Sequence, residues 1–121
     1  MKKLLILFPA ILLFFSVELM ANKTSVGIKA PAEIKKGSEL TIVINVMHKG
    51  NSKMHHTDWI SLKINGKEVK RWEYTKENLP PEGDFTLEYK TTVTENIKIE
   101  AQGDCNMHGS AGAKTAMVKA N

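Results

Sequence analysis

From Glu39 to Met47, apolar and polar residues alternate. Leu40, Ile42, Ile44 and Val46 share one face, and Glu39, Thr41 and Asn45 mark the other. A period of two belongs to a half-buried strand, because successive side chains of a strand point to opposite sides. Ile60, Leu62 and Ile64 repeat the pattern, and Asn65-Gly66 follows at once. That dipeptide tolerates the positive φ angles of a tight hairpin turn, so a return strand is predicted over Lys67 to Tyr74, with Val69 and Arg71 opposing Lys70 and Trp72. Pro80-Pro81-Glu82-Gly83-Asp84 has no helical option and reads as a loop. Phe85, Leu87 and Tyr89 then share a face in a strand that reaches Val93. Asn96 to Gln102 sets Ile97, Ile99 and Ala101 against Lys98, Glu100 and Gln102. Ser25 to Lys29 supplies a first strand and Lys114 to Lys119 a last. Seven short strands, regular turn signals and no amphipathic helix predict an all-β fold, an immunoglobulin-like antiparallel β-sandwich. Trp59 and Trp72 are expected at core or rim positions.

The amino-terminal end follows another rule. Lys2 and Lys3 precede an apolar run from Leu4 to Val17, and Ala21 is a small residue suited to cleavage. The run is shorter than the roughly 20 residues of a spanning helix. A signal peptide is therefore expected over residues 1–21, with one domain over residues 22–121 in a periplasmic or otherwise exported protein. An uncleaved anchor is the competing reading. The formal charge of +4 comes from scattered lysines, without a basic stripe interleaved with aromatics. Nucleic acid is not an expected partner. A mildly positive surface still attracts small anions.

The candidate chemistry rests on five residues. Cys105 is the single cysteine, so an exported chain of this sequence forms no internal disulfide. His108 follows three residues later, and His48, His55 and His56 lie upstream. The polar neighbours Asp104 and Asn106 predict that Cys105 lies outside the core. All five candidates sit where strands end, and loops at one end of a sandwich can converge on a mononuclear metal site. His55 and His56 are adjacent, so one of them at most is expected to bind. A thiolate among imidazoles suits iron, copper or zinc rather than calcium or magnesium. Zinc on Cys plus three His would be a closed structural site. A blue-copper site needs a methionine shortly after its second histidine, whereas Met117 lies nine residues beyond His108. Met47, Met54 and Met107 would suit a soft copper ion.

The segments His48…His55-His56-Thr57-Asp58-Trp59-Ile60-Ser61-Leu62 and Cys105-Asn106-Met107-His108-Gly109 resemble the iron-binding domain of the desulfoferrodoxin, neelaredoxin and superoxide reductase family. The resemblance implies a seven-stranded immunoglobulin-like sandwich and one non-haem iron (Fe2+/Fe3+) held by four histidines and an axial cysteine. It implies reduction of superoxide to hydrogen peroxide without release of oxygen, with electrons from an unidentified donor. Carried over by position, His48, His55 and His108 are imidazole ligands and Cys105 is the axial thiolate. The family's Glu-Lys-His segment finds its nearest counterpart in Lys29-Ala30-Pro31. Lys29 is then the catalytic lysine that draws in superoxide, and Ala30 stands where the fourth histidine belongs. The interval from His48 to His55 is one residue longer than the family's, and His56 or water is left to complete the centre. Two other readings stand beside this one: a non-catalytic copper or zinc carrier, and an interaction module with a vestigial site. A homo-oligomer is compatible with each.

Overall fold

The computed structural model describes residues 23–121, so the leader read over residues 1–21 lies outside the described residues. Eight strands follow one another: β1 (Ser25–Lys29), β2 (Glu33–Ile34), β3 (Ser38–Met47), β4 (Thr57–Ile64), β5 (Lys67–Glu73), β6 (Asp84–Val93), β7 (Ile97–Cys105) and β8 (Lys114–Ala120). They form two sheets, ordered β1-β3-β6 and β2-β8-β7-β4-β5. Every pairing is antiparallel except that of β2 with β8. This is the expected immunoglobulin-like sandwich with one strand more. Two residues are too short to show a period, and β2 exists because Lys119 and Asn121 donate their backbone N–H groups to Ala32 and Ile34.

The alternation read from the sequence becomes the core. Leu40, Ile42, Ile44 and Val46 of β3 face Ile97, Ile99 and Ala101 of β7 across the sandwich, with Ile60, Leu62, Val26 and Val118 completing the packing. The predicted turn holds: Asn65 and Gly66 have φ angles of 52° and 82°, the two positive values of a tight hairpin. One expected alternation fails. Leu62 pairs with Lys70 and Lys63 with Glu68, so Val69 is an extra residue on β5. Such a bulge breaks the period of two, and Val69 and Trp72 are both half-buried instead of lying on opposite faces.

Two glycines set how closely the backbone packs near one end of the sandwich. Gly103 occupies the core-facing row of β7 between Ala101 and Cys105. A Cβ there would lie 2.7 Å from Thr24 Cγ2 and 2.8 Å from Ile60 Cδ1, so β1 can cross β7 only above a bare backbone. A Cβ on Gly83 would meet the His48 carbonyl oxygen at 2.6 Å. The loop before β6 is thereby laid against the end of β3, where His48 donates its N–H to the Gly83 oxygen at 3.0 Å.

Overpacking typically costs about 1–3 kcal/mol. Gly103→Ala is therefore expected to lower stability by about that amount, read as a lower urea midpoint with an unchanged slope. An unchanged midpoint would contradict the close crossing of β1 over β7.

Candidate metal centre

The core-facing rows of the two sheets do not stop at the hydrophobic residues. On β3 the row Leu40, Ile42, Ile44, Val46 continues, two residues on, to His48, which is 3% exposed. On β7 the row Ile97, Ile99, Ala101, Gly103 continues to Cys105, which is 2% exposed. Cys105 thus lies in the core, contrary to the expectation from its polar neighbours. Asp104 and Asn106 are polar because they flank the strand end, while alternation turns Cys105 inward. Asp104 faces the other side, where burial and then the Asp58 charge push its carboxyl pKa up against the lowering effect of Arg71.

Loops bring two more imidazoles to this end. The Cys105 hairpin is closed by reciprocal backbone bonds between Cys105 and Gly109, both 2.9 Å, which place His108 beside the sulfur. His108 Nδ1 lies 3.8 Å from Cys105 Sγ and 3.0 Å from His55 Nε2. The rings of His48 and His55 meet edge-on at 4.7 Å between centroids, and those of His55 and His108 at 4.8 Å. One donor atom from each of His48, His55 and Cys105 lies within 4.8 Å of the other two.

Two asparagines hold these loops, each using both ends of its amide. Asn51 donates from Nδ2 to the Glu82 carbonyl at 2.6 Å and accepts the Thr57 N–H on Oδ1 at 2.9 Å. Its Oδ1 therefore also faces His48 Nδ1, 3.2 Å away, so that nitrogen must carry the proton. The Nε2 of His48 is left with its lone pair. Asn106 accepts the His56 N–H at 2.9 Å and donates to the Met54 carbonyl at 3.1 Å, tying the His55 loop to the Cys105 loop.

Of the candidates, the structure brings together His48, His55, Cys105 and His108. His56 is buried outside the cluster, its Nδ1 donating to the Ser52 carbonyl at 3.0 Å. Lys29 is not brought there either. It pairs with Val43 at the far end of β1, four positions from the Ser25–Met47 pair that lies at the cluster end, or roughly 13 Å along the strand. The amino-terminal segment meets the loops that carry the cluster at Thr24 instead. Thr24 is fully buried, shares a hydrogen bond with the Thr57 hydroxyl at 3.1 Å and donates its N–H to the Gly109 carbonyl. Ala30, half-buried against the core, stands away from the ligands. The signal for Thr24 is available in the sequence: it precedes Val26 and Ile28 by the strand period.

These residues fit a transition metal. His48 Nε2 is buried and has no hydrogen-bond partner, a state that ordinarily costs about 1–3 kcal/mol. A cation at the cluster would satisfy it. Nitrogens bonded to one ion at about 2.0–2.1 Å lie about 2.9 Å apart at a right angle and about 3.4 Å apart in a tetrahedron, and the 3.0 Å His55–His108 contact falls within that range. One sulfur with three imidazoles is a soft-to-borderline donor set, suited to iron, copper or zinc.

Burial, and next the neighbouring His55 charge, lower the His48 pKa below its ordinary 6.5, against the raising effect of Asn51 and Gly50. Below pH 6.5 the unfolded chain then binds the proton that the fold refuses, so stability present above that pH is lost as pH falls through it. Thermal melts of metal-free protein should show this loss, with a shallower slope for His48→Asn; equal slopes would contradict it. Asn51→Ala should weaken metal affinity about 10–100-fold, measured by chelator competition, because the imidazole tautomer is no longer held.

The sequence matches the model of the desulfoferrodoxin family over residues 17–111. No curated protein matches it. Among solved structures, the superoxide reductase (neelaredoxin) of Ignicoccus hospitalis is similar at 20% identity with a TM-score of 0.68, covering 82% of this chain and 83% of that one. A single-substitution variant of that protein gives a TM-score of 0.70 at 20% identity, covering 87% and 86%. A CARDB domain of Pyrococcus furiosus, solved with di-metal ions, gives 0.61 at 19% identity, covering 81% and 87%. These likenesses show the fold. The match of the family model across most of the sequence places the chain in the desulfoferrodoxin family.

Proposed function

We propose that the protein is an exported, superoxide-reductase-like protein in which Cys105, His48, His55 and His108 hold one non-haem iron. The observation that carries this reading is the buried, unpartnered His48 Nε2 beside a cysteine sulfur and two further imidazoles. Iron bound there supplies one-electron chemistry: superoxide, one electron and two protons give hydrogen peroxide. The electron comes from a donor protein not yet identified, and the protons from solvent.

The chain's own residues give the site its direction. His48 and Cys105 are buried, His55 is half-buried and His108 is exposed, so a small anion approaches from the side of His55 and His108. Lys49 and Lys53 are exposed on the loop that joins His48 to His55, and Lys23 adjoins Thr24. Their charge raises the local concentration of an anionic substrate. Cys105 would bind a metal as thiolate, the form of cysteine that acts as a metal ligand. Thr24 offers no imidazole, which leaves a set of three histidines and one cysteine. Export is supported by the basic and apolar composition of residues 1–21.

A second reading, a non-catalytic copper or zinc site, is favoured by that missing fourth imidazole. Anaerobic purification with metal analysis, followed by stopped-flow mixing with superoxide, separates the two. Iron-loaded protein should form peroxide without dioxygen and show a thiolate-to-ferric absorption band that Cys105→Ser abolishes. Protein that carries copper or zinc and does not consume superoxide would contradict the proposal. Reversing both loop charges (Lys49→Glu with Lys53→Glu) should slow the second-order rate about tenfold at low salt, an effect that fades as salt rises.

A further inference from the structure

Methionine is ordinarily an interior residue, so a thioether left in water calls for a reason. Among the described residues four large apolar side chains are exposed, and all four are methionines: Met47, Met54, Met107 and Met117. Three of them lie at the metal-centre end. Met107 occupies the turn of the hairpin between Cys105 and His108 and is 62% exposed. Met54 directly precedes His55 and is 79% exposed. Asn106 draws their two loops together, since it adjoins Met107 and its Nδ2 donates to the Met54 carbonyl at 3.1 Å. Met47 precedes the inward-facing His48 and so turns to the outer face of β3. Met117 stands elsewhere. It pairs with Lys98, seven positions before Cys105 on β7, or roughly 23 Å along the strand from the centre. Its exposure, 65%, lies between those of Met54 and Met107.

The sulfurs at this end are unequally protected. Cys105 is buried, whereas Met54 and Met107 stand in solvent on the side where His55 and His108 open. We infer that Met54 and Met107 are modification sites of the centre, taking up oxygen from hydrogen peroxide and so sparing the Cys105 ligand, an inference that rests on the iron reading proposed above. A ferrous ion, when bound, activates peroxide toward sulfur close to it. The O–O bond breaks, one oxygen bonds to the methionine sulfur, and the other leaves as water with both protons. Sulfur loses two electrons and peroxide gains them, so no further reductant is needed and the ion is unchanged overall. The product, methionine sulfoxide, is polar and is returned to methionine by sulfoxide reductases, whereas a cysteine carried to the sulfinic or sulfonic state is generally lost. The thioethers are thus repairable acceptors placed beside a ligand that is not.

Hydrogen peroxide added in slight excess to protein loaded with ferrous iron, followed by peptide mass spectrometry, tests the assignment. Met54 and Met107 should gain oxygen at least about tenfold faster than Met117, because the oxidant is activated beside them. In zinc-loaded protein the three should react within about threefold of one another, as their similar exposure dictates. Met54→Leu combined with Met107→Leu removes both acceptors while keeping apolar volume. That variant should lose its thiolate-to-ferric band at least about threefold faster under peroxide, with oxygen appearing on Cys105. Equal rates at Met54, Met107 and Met117 in iron-loaded protein, the same selectivity with zinc, or a double variant whose band lasts as long as that of the unaltered protein would overturn the inference. Because the peroxide is supplied, these results do not depend on whether the protein reduces superoxide, which the stopped-flow measurement decides separately. A protein that binds no iron would overturn both.

Discussion

The structure depends on one constraint of strand geometry: a side chain two positions beyond the last core residue still faces the core. The row of β3 reaches His48 just past the strand end, and the row of β7 reaches Cys105 by way of Gly103. The hydrophobic packing that joins the sheets therefore also fixes the distance between an imidazole and a sulfur. Burying each large aliphatic residue contributes about 1.5–3 kcal/mol. Leu40, Ile42, Ile44, Ile60, Leu62 and Ile99 are all fully buried or nearly so, so the rows that lead to His48 and Cys105 are held by packing along their length. The fold can thus hold His48 Nε2 buried with no hydrogen-bond partner.

The remaining ligands come from loops, and loops need polar restraints. Asn51 and Asn106 supply them through side-chain hydrogen bonds that reach from loop to loop. Asn51 couples the β3 end to the loop before β6 and fixes the His48 tautomer. Asn106 couples the Cys105 hairpin to the segment carrying His55. Neither touches the ring nitrogens of His55 or His108, yet both set where those rings can be. His56, adjacent in sequence to a candidate ligand, takes the other role and anchors the loop through Ser52.

The fold was readable from Leu40 to Val46, from Ile97 to Ala101 and from Asn65-Gly66, because burial on one face and turn chemistry leave direct marks in sequence. The bulge at Val69 left no such mark, since it arises from pairing with β4. Two residues of β2 carry too little pattern to be seen. At the site, His48, His55, Cys105 and His108 stood out by residue type. The inward turn of Cys105 was present in the alternation through Ala101 and Gly103 but was hidden by its polar flanks. The resemblance pointed to Lys29 and Ala30, at the other end of β1, while Thr24 carries no obvious metal chemistry. Its position, one strand period before Val26, was the physical signal.

The proposed centre is one ion bound jointly by Cys105 and the imidazoles of His48, His55 and His108. X-ray absorption at the iron edge of anaerobically prepared protein tests this most directly. A single sulfur among nitrogen ligands, lost on Cys105→Ser, is the predicted result. Iron with no sulfur bonded to it in the unaltered protein would contradict the account.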